Sequence, residues 1–357
     1  MTGAIPAPVC TAIAGTNIAL VKYWGKRDAA LNLPATGSIS LTLAELGTRT
    51  RVRFDDGDDD RVTLNGALAD AGVHARVSAF LDRVRARAGI DRRAEVVTTN
   101  SVPTAAGLAS SASGFAALAL AASRAAGLAL TPAELSELAR LGSGSAARSI
   151  FGGFVEMARG ERADGRDAVA GPIAVPTTEP RWEVRLVVAI TAVTAKAEGS
   201  TAAMERTART SPFYPTWIAL APGDLASARD AIAARDLGRL GAVAERSALR
   251  MHATALAAEP AILYWNPATV AAIHATRGLR ARGVAAYFTI DAGPHVKVLC
   301  DAADAAVVSA ALAELPGVLR TLIASPGPGA AVIAGGTRKG EDEDGDGDGV
   351  LRAGVVP

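Results

Sequence analysis

Apolar positions near the start of the chain alternate with polar ones or fall on β-branched residues, and this pattern predicts strands. Three such stretches are Thr11–Ala14, Ser38–Leu43 and Arg49–Phe54. The segment between the first two, TNIALVKYWGKRDAALNLPATGS, is rich in Gly, Asn, Pro and charged residues and predicts no regular element. Long loops inside compact domains are usually functional, so we expect this segment to contribute to a site.

Later parts of the chain predict a mixture of strands and helices. Thr131, Pro132 and Glu134 supply an N-cap, an N1 proline and a capping-box acid for one helix. The sequence LNG at 64–66 is typical of a hairpin turn. Other elements are expected at about Ala71–Ala88 (helix), Glu95–Asn100 (strand), up to Ala126 (helix), Phe154–Ala158 (strand), Val184–Ile190 (strand), Pro215–Leu256 (helices), Pro267–Arg282 (helix), Ala285–Ile290 (strand), Val296–Cys300 (strand) and Ala302–Leu315 (helix).

Strands and helices mix here without a regular βαβ alternation, which favours an α+β fold over a doubly wound sheet. The 357 residues are enough for two domains. Pro and Thr become frequent around Pro172–Arg181, so we place a domain boundary there. The expected division is an N-terminal domain 1–180, a C-terminal domain 181–334 and an acidic, disordered tail 335–357.

Composition narrows the class of protein. Lys and Arg number 37 and Asp and Glu 36, so no overall charge points to nucleic acid, and partners must be recognised at local sites. The charge-free stretch Val96–Ser123 is interrupted by Pro103 and Gly107, which argues against a membrane helix. The first residues do not form a signal peptide. A cytoplasmic location is therefore expected.

Metal and disulfide frameworks are not predicted. Cys10 and Cys300 form no CxxC pair, and the four histidines show no paired zinc-ligand spacing. The tail sequence EDEDGDGDG imitates the start of an EF-hand loop, but Ala353 stands where the closing glutamate is expected. A disordered acidic tail is the better interpretation.

The segment from Pro103 to Ser113, PTAAGLASSAS, is a candidate phosphate site. A glycine-containing loop that enters a helix exposes backbone N–H groups and the positive end of the helix dipole. Gly107 allows close approach of the backbone, and Ser110, Ser111 and Ser113 offer hydroxyls to a phosphate or to its Mg²⁺. The segment is not a Walker A motif. Taken alone, it is equally compatible with a tightly packed small-residue helix.

A second candidate is GSGSAARS, residues 142–149. Arg148 follows Ser145 by three residues, so both would lie on one face of a helical turn. A guanidinium beside the hydroxyls of Ser143 and Ser145 suits a phosphate or a carboxylate. A lone arginine usually lies on a solvated surface, but two phosphate-like loops in one chain favour the functional interpretation.

Two further segments carry candidate chemistry. Lys22, Tyr23 and Lys26 place two cations in the irregular segment, although a charge run is usually an exposed face. Asp291 follows a predicted strand and precedes Ala-Gly-Pro, which suits a general base. An Asx turn with Gly293 would explain the same aspartate equally well.

These segments together resemble the diphosphomevalonate decarboxylase family, within the superfamily of galactokinase, homoserine kinase, mevalonate kinase and phosphomevalonate kinase. The resemblance spans roughly residues 8–330 and rests on TNIALVKYWGKRD, NSVPTAAGLASSASGFAALALAA, GSGSAARSIFGGFVEM, TSPFYPTW, MHAT, YFTIDAGPHVKVL and SPGPG. It implies a two-lobed α+β fold, with an N-terminal lobe like ribosomal protein S5 domain 2, a ferredoxin-like C-terminal lobe and a site between them.

The resemblance also implies an activity, namely ATP- and Mg²⁺-dependent decarboxylation of (R)-5-diphosphomevalonate to isopentenyl diphosphate in the mevalonate pathway of isoprenoid biosynthesis. A small phosphorylated substrate and a homodimer are expected, with no nucleic acid or membrane partner. The implied roles are catalysis for Asp291, Lys22 and Arg148, substrate binding for Tyr23, Lys26, Ser143, Gly144, Ser145 and Ser200, and ATP binding for Pro103, Gly107, Ser110, Ser111 and Ser113, with Ser111 a candidate ligand of Mg²⁺.

Three departures from the family pattern bear on the site. Thr36-Gly37 replaces an Asn-Ser-like sequence, His295 replaces the usual asparagine, and Met157 replaces a common aromatic residue. The alternatives left open are a phosphomevalonate decarboxylase that yields isopentenyl phosphate, a kinase of the 3-hydroxyl, and a catalytically silent metabolite-binding protein. Tyr23 and Lys26 favour a diphosphate substrate.

Overall fold

The computed structural model describes residues 9–101, 110–177, 179, 181–192 and 198–333, and for Ser110 the backbone only. The strands are β1 (Val9–Val21), β2 (Lys26–Asp28), β3 (Leu33–Pro34), β4 (Ser38–Asp55), β5 (Arg61–Leu64), β6 (Ala67–Leu68), β7 (Arg93–Asn100), β8 (Phe154–Met157), β9 (Ala170–Pro172), β10 (Val184–Ile190), β11 (Ala286–Thr289), β12 (Val296–Asp301), β13 (Arg320–Ala324) and β14 (Ala331–Ile333). The helices are α1 (Ala71–Ala88), α2 (Ser110–Ala125), α3 (Pro132–Gly142), α4 (Ser200–Thr210), α5 (Tyr214–Ala233), α6 (Leu237–Leu256), α7 (Pro267–Ala281) and α8 (Ala305–Ala313), with 3₁₀ helices at Gly144–Ile150 and Ala302–Asp304.

The larger sheet is centred on the antiparallel pair β1 and β4. Its strand order is β14-β1-β4-β7-β5-β6, and β8 and β9 extend it from the other end of β4. The sequence predicts two strands where β4 is continuous, because the residues between them, Ala44–Gly47, do not alternate. A register shift opposite Gly15 and Gly47 bends the pair here, and a Cβ on Gly47 would lie 2.7 Å from the carbonyl of Ala14.

The segment predicted to be irregular is partly a strand, which corrects that expectation. Residues 16–21 continue β1, and all six are buried. They lie between the two halves of the molecule, where Ile18 and Leu20 pack in one core with residues of α6. A strand buried on both faces has no alternation to reveal it. The rest of the segment forms the short β2–β3 hairpin.

Helix α2 packs its small residues against the larger sheet. Alanines such as Ala116 and Ala119 are fully buried, and Phe115 packs in the same core as Phe54 and Phe80. The predicted capping box of α3 is confirmed, since Thr131 and Glu134 bond to each other's backbone. The predicted helix over Ala71–Ala88 is also confirmed, with Asp70 as its N-cap.

The smaller sheet has the antiparallel order β11-β12-β10-β13. One face of β10 packs with residues of α5 and α6, and its other face packs with residues of α7 and α8. The predicted helical block over 215–256 is two helices, because Arg235 has a positive φ of 52° and Asp236 caps α6. Strands β13 and β14 are present in the structure but were not predicted from the sequence.

The mixed sheets and helices confirm the α+β expectation and the two-lobed architecture. Strand β14 pairs with β1, so the end of the predicted second domain returns to the first sheet. The division at residue 180 stays a prediction, and the acidic tail lies outside the described residues. None of the helices described has the length and apolar character that a membrane crossing requires.

Candidate active site

A cleft of about 700 Å³ opens where the two lobes meet. The end of β1, the β2–β3 hairpin, the 3₁₀ helix Gly144–Ile150, the N-terminus of α4 and the loop after β11 all contribute to its wall. Ten of the residues singled out from the sequence line this cleft, namely Lys22, Tyr23, Lys26, Ser111, Ser143, Gly144, Ser145, Arg148, Ser200 and Asp291. Segments up to 269 residues apart thus converge.

Asp291 and Lys22 form an ion pair in the wall of the cleft. Lys22 follows the last residue of β1, and its Nζ lies 2.9 Å from Asp291 Oδ1. The lysine side chain is 1% exposed, and its Nζ also donates to the carbonyl of Ala19 at 2.8 Å. Burial lowers the pKa of Lys22 to about 8, although the charge of Asp291 opposes that shift.

A third charged group, Lys297 on β12, is one that the sequence reasoning missed. Its Nζ lies 3.0 Å from Asp291 Oδ2, and its side chain is 3% exposed. Burial by itself would raise the pKa of Asp291, but the charges of Lys22 and Lys297 lower it well below its usual range. The available signal was a lysine inside the otherwise apolar strand sequence VKVLC.

Arg148 is held below the cleft surface by three side chains. Its Nε donates to Asn17 Oδ1 at 3.2 Å and to Ser40 Oγ at 3.0 Å, and its Nη1 donates to Ser38 Oγ at 2.6 Å. The arginine is 2% exposed, and burial lowers its pKa to about 10. The alternative that Arg148 lies on a solvated surface is therefore wrong. The hydrogen bonds of Arg148 reach Asn17, Ser38 and Ser40. The backbone carbonyl of Ser145 accepts a hydrogen bond from Asn17 Nδ2 at 3.0 Å.

The GSGS segment presents hydroxyls and backbone to the cleft. Ser143 Oγ and Ser145 Oγ lie 3.2 Å apart. A Cβ at Gly144 would collide with the hydroxyl of Tyr23, so only glycine fits there. The Tyr23 hydroxyl is buried without a hydrogen-bond partner among the described residues, and burial raises its pKa to about 12. An unpartnered buried hydroxyl beside this segment is suited to a polar ligand.

Lys26 and Arg76 add positive charge nearer the cleft entrance. Lys26 is partly buried. Its pKa is lowered mainly by burial and, to a smaller extent, by the charge of Arg76. Arg76 comes from α1, and its guanidinium lies 5.3 Å above the ring of Phe115. The sequence reasoning missed Arg76, because an arginine on an amphipathic helix is typical of a solvated face.

The predicted nucleotide loop is described only in part. Pro103 and Gly107 lie outside the described residues, as does the side chain of Ser110. Ser111 is exposed and lines the cleft. Ser113 is a correction, since it is 1% exposed and its Oγ bonds to Thr48 Oγ1 at 2.7 Å, between α2 and the sheet.

A second, mostly apolar cavity of about 180 Å³ lies beside the first, between α1, α2 and the larger sheet. Ser111 and Arg76 line both cavities, so the two adjoin at the start of α2. Val77, Val96 and Leu118 supply apolar wall. A flat apolar group that carries phosphates would fit across this junction.

Both halves of the chain match known family descriptions. Residues 14–170 match the diphosphomevalonate decarboxylase-like N-terminal domain, and residues 186–321 match the mevalonate 5-diphosphate decarboxylase C-terminal domain. The diphosphomevalonate decarboxylase of Gibberella zeae is 38% identical over 317 residues, which are 83% of this chain and 81% of that protein. The chain belongs to the diphosphomevalonate decarboxylase family.

Other members of the diphosphomevalonate decarboxylase family are similar along most of their length. The human diphosphomevalonate decarboxylase is 35% identical over 314 residues, 82% of this chain and 77% of that protein. The crystal structure of mevalonate diphosphate decarboxylase from Staphylococcus aureus is 38% identical with a TM-score of 0.86, over 91% of this chain and 98% of that one. A structure of MDDEF in complex with MVAPP, AMPPCP and magnesium is 40% identical with a TM-score of 0.85, over the same shares. The resemblance stated from the sequence is confirmed.

The departures from the pattern of the diphosphomevalonate decarboxylase family leave the described side of the cleft intact. Gly37 packs against Leu225, and the next residue, Ser38, accepts the Arg148 hydrogen bond. His295 is 2% exposed, and its Nδ1 accepts the backbone N–H of Thr191 at 3.1 Å. Met157 is fully buried in a core cluster with Leu33 and Ala147, and it pairs across the strands with Ser38.

Proposed function

We propose that this chain catalyses the ATP-dependent decarboxylation of (R)-5-diphosphomevalonate to isopentenyl diphosphate, with release of ADP, phosphate and CO₂. The observation that carries the proposal is a carboxylate, Asp291, fixed beside two buried cations, Lys22 and Arg148, in the same cleft as the GSGS segment and the start of α2. The family to which the chain belongs supports it, as does the relative bound to MVAPP, AMPPCP and magnesium.

Asp291 would orient the 3-hydroxyl of the substrate. A tertiary hydroxyl is a poor leaving group, so its oxygen must first take the γ-phosphoryl group of ATP. The charges of Lys22 and Lys297 keep the Asp291 carboxylate ionised, and an ionised carboxylate accepts the hydrogen bond of the hydroxyl that attacks. Its low pKa makes it a weak base, so its contribution is orientation and negative charge, and the hydroxyl proton passes through it to water as the O–P bond forms and ADP leaves.

Lys22 and Arg148 would stabilise the charges that move in the second step. When the C3–O bond breaks, the phosphate leaves, and electrons of the C–C bond to the carboxylate form the new double bond as CO₂ departs. Buried cations act strongly on such charges, because little water screens them. Both are almost completely buried.

The diphosphate would bind further out. Lys26 and Tyr23 offer a cation and an unpartnered hydroxyl. Ser143, Gly144 and Ser145 offer hydroxyls and backbone, and Ser200 stands at the first position of α4, where a helix dipole favours an anion. Arg76, although absent from the sequence-based set, faces the same space.

ATP would bind across the start of α2, with its phosphates toward Ser111 and its base in the adjoining apolar cavity. The described residues contain no group of three His, Cys, Asp or Glu that could hold a metal ion. We propose that Mg²⁺ enters with the phosphates of ATP, which it commonly binds beside one or two protein groups. When bound, it neutralises charge on the transferred phosphoryl group.

The test is a parallel assay of purified protein with ATP and Mg²⁺, offered 5-phosphomevalonate and 5-diphosphomevalonate, in which CO₂ and ADP are both counted. We expect equal amounts of ADP and CO₂ from the diphosphate, and formation of both about 10²–10⁴-fold slower from Asp291→Asn. ADP without CO₂ would instead identify a kinase, and CO₂ from the monophosphate alone would identify a phosphomevalonate decarboxylase. Neither product would identify a silent binding protein.

We further propose a homodimer and a cytoplasmic location. Homodimers are the commonest soluble oligomers, and the cleft needs nothing from a second copy to assemble the residues described. Light scattering on the purified protein would give the mass directly, with about twice 36.2 kDa expected.

A further inference from the structure

We propose that Lys297 is a positioning residue for this reaction, which holds the second oxygen of Asp291 and keeps the carboxylate oriented toward the substrate. This inference rests on the proposed function and adds to it. Lys22 Nζ contacts Asp291 Oδ1 at 2.9 Å, and Lys297 Nζ contacts Oδ2 at 3.0 Å. The carboxylate is therefore held from both sides.

Lys297 acts through Asp291 because it does not reach the cleft. It lies outside the described cleft-lining set, and its side chain is 3% exposed, whereas 30% of the Asp291 side chain is exposed. Its Nζ otherwise lies 3.5 Å from the carbonyl of His295. A group placed behind the carboxylate can orient it without touching the substrate.

The charge balance argues against a merely structural ion pair. Lys22 alone neutralises Asp291, so Lys297 leaves the buried cluster with an excess positive charge. An apolar residue at this position of β12, between the buried Val296 and Val298, would avoid the cost of desolvating an ammonium group. What the second lysine adds is a hold on the other carboxylate oxygen, which fixes the orientation of Asp291.

Among the residues that the structure describes, the charged and titratable groups that face Asp291 come from four elements. Lys22 follows β1, Lys297 lies on β12, Arg148 lies on the 3₁₀ helix, and His252 lies on α6. Burial lowers the pKa of His252 to about 3, so it is neutral above pH 5. Arg148 remains charged, with a pKa of about 10. Below pH 7, removal of Lys297 thus changes one cation while Lys22 and Arg148 stay charged.

The first measurement needs no turnover. The ¹³C signal of the Asp291 carboxyl is followed by NMR of protein labelled at the aspartate side chains, and it is assigned by its loss in Asp291→Asn. The pKa of this carboxyl lies well below its usual range, so the signal is compared at pH 7, where the group is ionised. Lys297→Met removes the partner of Oδ2, so it should shift the carboxyl signal and broaden it as the group gains freedom to turn. Lys297→Gln, which keeps a donor without the charge, should shift the signal less and serves if the Met variant fails to fold. An unchanged signal in both variants would overturn the proposal.

The second measurement is a double-mutant cycle on CO₂ release. Lys297→Met should lower kcat by about 10- to 100-fold, the scale of a small misplacement of a catalytic group, while KM changes far less. In the Asp291→Asn background the same substitution should change kcat by less than about twofold, because the group through which it acts is gone. Equal losses in both backgrounds would refute the role.

Arg280→Met is the matched control, since it breaks another partly buried ion pair, with Glu245, away from the cleft. It should lower the melting temperature without moving the Asp291 signal or kcat. If wild-type protein releases no CO₂ but the Asp291 signal responds to Lys297→Met, the proposed function fails while the positioning role of Lys297 stands. If CO₂ is released and the signal does not respond, only the positioning role fails.

Discussion

The buried lysine Lys22 should give the enzyme an alkaline limit. Its pKa is lowered to about 8 by burial, against about 10.4 for an exposed lysine. A lysine is cationic below its pKa, so the proposed reaction loses its cation as the pH rises through 8. About half of the free enzyme should carry neutral Lys22 at pH 8 and about nine-tenths at pH 9. We therefore expect kcat/KM to fall about tenfold per pH unit above that point.

The groups around Lys22 sharpen this expectation. Asp291 raises the Lys22 pKa, whereas Lys297 and Arg148 lower it, so Asp291→Asn should move the alkaline limb to lower pH. An anionic substrate bound beside Lys22 should raise its pKa, and the limb in kcat should therefore lie above that in kcat/KM. Tyr23 does not titrate in this range, because its pKa is about 12.

The assay is CO₂ release at limiting and at saturating substrate between pH 6 and 10, with protein stability checked at each pH. Lys22→Arg replaces the titrating cation by one that stays charged, so the limb should disappear from whatever activity remains. Lys26→Ala is the matched lysine control and should keep the limb where it is. A kcat/KM that stays constant up to pH 10, or a limb that follows Lys26, would refute the reasoning.

Other expectations follow from the geometry of the cleft. Lys26→Ala should raise KM more than it lowers kcat, and Tyr23→Phe should do so more weakly, because contacts distant from C3 contribute largely uniform binding. A fall in kcat at constant KM in steady-state kinetics would contradict this. Ser111→Ala should weaken ATP use by about tenfold or more, since a lost charge-assisted hydrogen bond costs about 1.5–3 kcal/mol. Ser113→Ala should instead lower the melting temperature. Equal ATP affinity in wild type and Ser111→Ala would remove Ser111 from the site. Asp291→Asn should reduce turnover by about 10²–10⁴-fold with nucleotide binding retained in a fluorescence titration, and near-normal CO₂ release would exclude it from the chemistry.

Local signals explain what the sequence could predict. The capping box at Thr131 and the strand Val184–Ile190 depend on neighbouring residues only, and the structure has both. The GSGS segment and the residues after β1 are also short, contiguous patterns. Their placement in one cleft agrees with the expectation drawn from the four segments together.

Contacts between distant residues explain what the sequence could not predict. Asn17 accepts the Arg148 hydrogen bond across 131 positions of the chain, and no local pattern marks it. Ser113 and Ser111 are two residues apart on α2, yet one faces Thr48 and the other the cleft. Only the packing of α2 on the sheet separates them, so their hydroxyls are equivalent in sequence and different in the fold.

The distribution of charge within the cleft bears on which mevalonate phosphate is used. The whole chain carries a net charge of only +1, but among the described lining residues of the cleft four basic side chains against two acidic ones give +2. Lys22 and Arg148 are buried beside Asp291, whereas Lys26 and Arg76 are more exposed. If the carboxylate end of the substrate meets the buried pair, the phosphates meet the outer one. A monophosphate would then lose contacts with the outer cations while the reacting end keeps its own, so the two substrates should differ mainly in KM. A difference confined to kcat would mean that the second phosphate helps to align the reacting atoms.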